Sequence, residues 1–402
     1  MKLTLLLDLD DTLLNTNMHA FIPAYFQALS RELAPYIAPD QMTRALLSGT
    51  CQMNESIDFS HSLQEVFDAE FYPQQNISRS DLEPAIENFY DNIFPNLAGL
   101  TSQIPEARRF VDWGLSKGYR IAIATDPLFP RKATLHRLRW AGFDPQQFEL
   151  ISSYENFHFS KTHPAYYAEI LALLGWPVGP VLMVGNDMAR DILPAKKLGL
   201  AAYHVNAEPA SSFGPEAGPC GTLDDLRRWL EITDPAFLIP SFKSIDSVMG
   251  IISATPAALN GLLSGLDPAL WSRKPASDDW SLTELVCHLR DSEREIHQMQ
   301  IKLFKEQREP FIPRPDTAVW ASQRDYLHEC GSSALKEFND ARRETLALLI
   351  NISQKDWERK ARHAIFGPTK FLEVISFIAD HDRMHIQQAW TTLRKMQDLR
   401  SM

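Results

Sequence analysis

The sequence predicts two domains of different class: an α/β domain built on a parallel sheet and carrying a helical insertion, then an all-α four-helix bundle. Three observations predict this. Short, almost wholly apolar runs at residues 3–7, 121–124, 181–184 and 201–205 alternate with helical patterns, as expected of strands buried on both faces and joined by crossover helices. Between Asn15 and about Thr101 the alternation lapses and only helical spacing remains. Beyond Ser244 no strand-like run recurs, and four helical stretches fill the rest.

Taken in order, helical patterns at 106–115, 132–141, 164–174 and a shorter one ending near Leu198 supply the crossovers. The interval of about 16–100 holds helical spacing at 18–33, 39–47, 62–70 and 81–93, and is too long to be a plain loop. A short helix at 223–230 closes the first domain, 1–232. Prolines from Pro235 to Pro240 mark a linker, 233–244. The second domain, 245–402, shows helices at 245–263, 282–304, 324–350 and 371–395, enough for a four-helix bundle.

Composition removes several function classes. The formal net charge is −11, so a broad nucleic-acid footprint, which needs a basic surface, is not expected. Cys51, Cys220, Cys287 and Cys330 stand apart, which suggests neither a disulfide framework nor a thiolate zinc site. A reducing, cytoplasmic setting is expected. The apolar start is short and cut off by acids, unlike a signal peptide. No stretch approaches the ~18 apolar residues of a membrane span.

The polar residues of the first domain gather where strands end. The first run stops at Asp8-Leu9-Asp10-Asp11-Thr12 and a later one at Ala124-Thr125-Asp126. Lys161 lies just ahead of Pro164, and the next run stops at Gly185-Asn186-Asp187 with Asp191 one helical turn on. Open parallel sheets bind ligands in the crevice at that edge. A carboxylate such as Asp8 can attack phosphorus, and Asp10 can serve as general acid and then as base. Acids this close repel unless a cation joins them. Mg²⁺ favours carboxylate and phosphate oxygens, so Asp8 and Asp187 are the expected side-chain ligands. Thr125 and Lys161 can hold phosphoryl oxygens, with Asp191 orienting Lys161.

These residues resemble the haloacid dehalogenase superfamily. Asp8-Leu9-Asp10-Asp11-Thr12 is similar to its DxDxT signature, and Thr125, Lys161 and Gly185-Asn186-Asp187…Asp191 match its later motifs in order. The resemblance spans about 1–230 and implies a Rossmann-like sheet, Asp8 as nucleophile, Asp10 as acid/base, and the Asp10 carbonyl as a further Mg²⁺ ligand. An acid at position 10 points to the phosphatase branch. The helical insertion resembles the family's mobile cap, which closes over small substrates. His19, Tyr25 and Phe26 are substrate-contact candidates that serve equally well as cap packing. Pro194 departs from a regular helix but fits a first turn.

In the second domain Phe371, Val374, Ile378, His381, His385 and Gln388 share one helix face, and His288 borders the apolar face of the second helix. Residues four apart reach one point, so His288, His381 and His385 can hold a transition metal with an open position. Each histidine alone reads more readily as a hydrogen-bonded core residue than as a ligand. Trp280-Ser281…Glu284-Leu285…His288-Leu289…Asp291-Ser292-Glu293, then Phe366-Gly367…His381-Asp382…His385…Gln387-Gln388, resembles the DinB-like family over about 245–396. That resemblance implies a divalent metal on the three histidines and allows a homodimer through the bundle; imidazole suits Zn²⁺, Ni²⁺ or Fe²⁺ alike. His363 precedes the Phe366-Gly367 turn and could approach the site, but it is not counted among the expected ligands. Asp291, Glu293 and Asp382 read as solvated groups or as partners just outside the ligands.

The function expected is therefore a Mg²⁺-dependent phosphohydrolase acting on a small phosphorylated metabolite, with no nucleic-acid or membrane partner. Two alternatives stay open: a metal-dependent binding or dimerisation protein with a vestigial hydrolase domain, and a phosphomutase.

Overall fold

A computed structural model describes residues 2–205 and 218–401. It divides into one unit of Met1–Ile170 with Pro177–Ser241, and a second of Leu171–Trp176 with Phe242–Met402. Among the described residues no helix is long and apolar enough to cross a membrane.

The first unit starts with β1 (Thr4–Leu7), whose four residues are all buried, then β2 (Leu14–Thr16). Four cap helices follow: α1 (Met18–Leu33), α2 (Pro39–Glu55), α3 (Leu63–Gln75) and α4 (Arg79–Asn88). β3 (Thr101–Gln103) pairs antiparallel with β2, so a two-strand stem carries the helical insertion. The chain continues through α5 (Pro105–Ser116), β4 (Arg120–Ile123), α6 (Arg131–Trp140), β5 (Leu150–Ile151), α7 (Pro164–Leu173) and β6 (Val181–Gly185). It closes with α8 (Leu193–Leu198), β7 (Ala201–Val205), β8 (Cys220–Gly221) and α9 (Leu223–Ile232).

The main sheet has the order β5-β4-β1-β6-β7-β8 with every pairing parallel. β1 lies between β4 and β6, in register Leu7↔Ile123 and Leu7↔Val184, so all three strands deliver their next residues to one edge. Leu5, Leu7, Ile123 and Val184 pack with Phe110 and Leu138 in the core. The cap has its own core, centred on Phe21, Leu29, Met42, Phe71 and Phe89.

The second unit packs α10 (Ile245–Leu263) against the long final helix, with the short α11 (Pro268–Trp271) leading to α12 (Leu282–Ser292). A π-helical turn, Glu293–His297, carries α12 without a break into α13 (Gln298–Glu306). After the short α14 (Trp320–Gln323) come α15 (Gly331–Leu349), packed on α12, and α16 (Phe371–Ser401).

Three details differ from the sequence reading. Strands do occur beyond Ser244: β9 (Phe311–Ile312), β10 (Lys360–His363) and β11 (Gly367–Lys370) form a small mixed sheet. The expected helix at 324–350 starts only at Gly331, because Asp325 turns the chain with φ 52°. The expected helix at 39–47 runs on through Gly49 to Glu55, and the glycine inside it leaves room for the Phe67 ring, which would lie 2.6 Å from an ideal Cβ at 49.

Candidate functional site

The acids of the first unit meet at the carboxyl edge of β4, β1 and β6. Asp8 follows β1 directly, its N–H donating to the Val184 carbonyl at 2.9 Å. Asp11 adopts a left-handed φ of 53°, a conformation that aspartate tolerates better than most residues, and its carboxylate accepts from the Thr16 N–H at 2.9 Å. That tight turn returns the chain along its own path and presents Asp10 beside Asp8. Asp8 Oδ2 accepts from the Thr12 hydroxyl at 3.0 Å, and Asp10 Oδ1 from the Thr16 hydroxyl at 2.9 Å.

Thr125 lies just past β4. Its carbonyl accepts from Ser152 Oγ and from the Tyr166 hydroxyl, each at 2.7 Å. Lys161 comes from the segment between β5 and α7. The preceding turn is anchored by a buried pair, His158 Nδ1 with Glu169 Oε1 at 2.6 Å, and by the Ser160 hydroxyl on the Asn54 carbonyl at 3.1 Å. Lys161 Nζ donates to Asp8 Oδ1 at 2.6 Å and pairs with Asp191 on its other side. Burial opposes the charge on this lysine, but Asp191 and Asp8 hold its ammonium well above the usual lysine range.

Asp191 sits directly behind the end of β6. A Cβ at Gly185 would lie 2.2 Å from Asp191 Oδ2, so only glycine admits the carboxylate there. Burial and the nearby Asp8 charge push the Asp191 carboxyl up to about 7, against the opposing pull of Lys161. One lysine is thus shared by two buried acids, a surplus of negative charge that a divalent cation would relieve. Asp187 is exposed and caps the π-helical turn Met188–Ile192, with Oδ1 accepting from the Ala189 and Arg190 N–H groups at 2.8 and 3.1 Å. Asp8, Asp187 and the Asp10 carbonyl are all oxygen donors, the set that suits Mg²⁺.

All six groups, Asp8, Asp10, Thr125, Lys161, Asp187 and Asp191, line one cavity of about 680 Å³ that continues under the cap. Tyr25 and Phe26 line it too; His19 is exposed on the cap and is not part of the lining.

Sequence reasoning missed Arg137. It is 1% exposed on α6, pairs with Asp10 Oδ2, and leaves Nε and Nη1 without a hydrogen bond. Burial pulls its guanidinium down to about 10, with the Asp8 charge opposing. Its run of neighbours, Arg131-Lys132…Arg137…Arg139, looks like a solvated basic helix, so no local pattern marks the one arginine that turns inward.

In the second unit His288, His381 and His385 each offer a ring nitrogen, all within 4.8 Å of one another. His288 Nε2 lies 3.0 Å from His381 Nε2. His385 Nδ1 donates to Gln388 Oε1 at 3.0 Å, which leaves its Nε2 as a bare lone pair, buried and unpartnered. Trp280 stacks on the His385 ring at 6.0 Å and 8°. Burial and the neighbouring histidines push His288 down to about 3 and His381 well below its usual range. Three neutral imidazoles with an unused buried lone pair fit a divalent transition metal.

The acids around this cluster are not solvated. Asp291 is buried and accepts from the Tyr326 hydroxyl and Arg324, each at 2.7 Å. Arg342 lies between Glu293 and Asp382, and all three side chains are fully buried. Its Nε and Nη2 reach Glu293 at 2.9 and 2.8 Å, its Nη1 and Nη2 reach Asp382 at 2.5 and 2.9 Å, and Nη1 also donates to the Ile252 carbonyl at 2.7 Å. His297 joins this group through Glu293 Oε2 at 3.0 Å, with its ring edge-on to His381 at 5.3 Å. His363 is not among the three grouped histidines; its Nδ1 accepts from Ile365 and Phe366 N–H groups and its ring packs on Phe366 and Phe377.

Comparison with known proteins matches the two units separately. Residues 3–199 match the model of the haloacid dehalogenase-like hydrolases, and residues 251–389 that of the DinB superfamily. Over 137 residues the chain is 23% identical to YuaE, an uncharacterised protein of Bacillus subtilis (strain 168), covering 31% of this chain and 85% of that one. Among solved structures it is similar to a HAD phosphatase from Thermococcus onnurineus, at 22% identity over 57% of this chain and 98% of that one, TM-score 0.38. It is also similar to YfiT from Bacillus subtilis, of unusual four-helix bundle topology, at 19% identity over 38% of this chain and 87% of that one, TM-score 0.35.

Proposed function

With residues 3–199 belonging to the haloacid dehalogenase-like hydrolases and residues 251–389 to the DinB superfamily, we propose that this chain is a Mg²⁺-dependent phosphatase of small phosphate monoesters, joined to a bundle that holds a divalent transition metal. The observation that carries the first half is the convergence of Asp8, Asp10, Thr125, Lys161, Asp187 and Asp191 on a single cavity at one sheet edge.

The chemistry follows from what each group can do there. An oxygen of Asp8 attacks phosphorus in line with the ester oxygen, the P–O bond to the alcohol breaks, and Asp10 delivers a proton to the departing oxygen. Asp10 then takes a proton from water as that water attacks the aspartyl-phosphate, freeing Asp8 and inorganic phosphate. Both Asp10 oxygens are engaged in this structure, by Thr16 and by Arg137, so Asp10 must release a partner before it can reach the leaving oxygen. Lys161 and Thr125 hold the equatorial phosphoryl oxygens, where negative charge accumulates in the transition state. Asp8, Asp187 and the Asp10 carbonyl would hold Mg²⁺, which when bound supplies charge neutralisation between nucleophile and phosphate. Phosphate release from 4-nitrophenyl phosphate tests this reading. It should require Mg²⁺ and stop with chelator; release that is indifferent to both would refute it.

His288, His381 and His385 would hold the second metal. Elemental analysis of purified protein should find about one transition-metal ion per chain. The His381→Ala variant should lose it, and retention of the full complement would contradict the assignment.

A further inference from the structure

We infer that the cavity above Asp8 selects phosphate monoesters of apolar, ring-bearing alcohols in preference to sugar phosphates. This names the substrate class of the site just described and rests on the phosphatase reading. The cavity of about 680 Å³ is far larger than a phosphate needs, and the surplus lies under the cap. There its wall is aromatic: Phe26, Phe67, Phe71, Tyr72 and Phe129 all line it. The rings form two packed groups. Phe67 stacks on Phe71 at 5.1 Å, Phe71 meets Tyr72 edge-on at 5.2 Å, and Tyr25 bridges Phe26 and Phe129 at 5.6 and 5.5 Å.

Several polar groups along the same wall are paired with one another. The Tyr25 and Tyr90 hydroxyls share a hydrogen bond of 2.8 Å. Arg79 donates to Asp68 at 2.7 Å, and Lys132 to Asp91 at 2.8 Å while also pairing with Glu87. A sugar brings several hydroxyls that lose water on entry and must each find a partner, and on this wall they would compete with these pairs for the charged groups. An apolar ring asks for nothing that the wall lacks, and it gains from burial and from edge-on or offset packing on neighbouring rings. The polar demand of the substrate is confined to the phosphate end, where Lys161, Thr125 and the metal ligands stand.

The test uses the full chain with Mg²⁺ and compares 2-naphthylmethyl phosphate, glucose 6-phosphate and the small acyl phosphate acetyl phosphate. The naphthyl ester should exceed the sugar ester in kcat/KM by about 10²-fold. Phe67→Ala and Phe26→Ala, both at half-buried positions, should each shrink that ratio, with melting temperatures confirming that the variants fold. Equal or reversed preference, with acetyl phosphate still turned over, would overturn the substrate class and leave the phosphatase reading intact. Loss of turnover for all three would remove the phosphatase reading. Calorimetric titration with the non-cleavable 2-naphthylmethylphosphonate and the phosphonate analogue of glucose 6-phosphate decides the cavity's preference in either case. Tighter binding of the naphthyl compound supports it, and equal or weaker binding overturns it.

Discussion

Replacing Asp8 by Asn is expected to lower Mg²⁺-dependent phosphate release by on the order of 10³-fold or more while leaving the protein at least as stable as before. The amide has the shape of the carboxylate but is not a nucleophile, so the covalent route closes while the turn at Asp11 and the Thr12 contact persist. The stability half of this expectation comes from the surplus charge at the site. Asp8 and Asp191 are both buried and share Lys161, and the Asp8 charge is one reason the Asp191 carboxyl sits as high as about 7. Without that charge, Lys161 and Asp191 remain as a simple pair. A site that gains stability when its nucleophile is neutralised is one whose charges are held together for chemistry. Phosphate-release assays and thermal unfolding of the two proteins, run side by side, check both halves. A variant that unfolds early would show that Asp8 serves as a structural anchor.

The second large effect is expected in the bundle. Arg342→Ala should destabilise it by about 3–5 kcal/mol, because two buried carboxylates would lose their shared cation. All five N–H donors of Arg342 are in use, on Glu293, Asp382 and the Ile252 carbonyl. Burial opposes the charge on Glu293, and Arg342 overcomes it, holding that carboxyl well below the usual range. A loss of this size is a large share of the ~5–15 kcal/mol that keeps a domain folded. Lysine should not rescue it, since one ammonium cannot reproduce the planar fork that serves both acids. Because Glu293 also orients His297 and Asp382 adjoins His381, the damage should extend to the histidine cluster. Urea unfolding of the full chain followed by circular dichroism reads the effect; a change below about 1 kcal/mol would show that the buried triad contributes little beyond the hydrogen bonds it satisfies.

Much of the main sheet was legible because strands buried on both faces leave continuous apolar runs, and because catalytic groups in such sheets follow those runs. Asp8, Thr125 and Asp187 could be placed at strand ends from that alone. The histidines at 381 and 385 were legible because helical spacing puts them on one face. What escaped depends on partners distant in sequence. Arg137 faces Asp10 from a helix that looks basic and solvated. Glu293 and Asp382 look like surface acids until Arg342, on another helix, is found between them. Strand β9 has only two residues, too few to show alternation. In α2, Ser48-Gly49-Thr50 reads as a helix end, and only the Phe67 ring shows why a glycine belongs inside the helix.

The central claim is that Asp8 itself becomes phosphorylated. Protein mixed briefly with an aryl phosphate and Mg²⁺, quenched in acid and reduced with borohydride, should carry homoserine at position 8 and at no other aspartate, as read by peptide mass spectrometry. Phosphate release that proceeds at full rate with position 8 unaltered, or with the modification on a different residue, would contradict it.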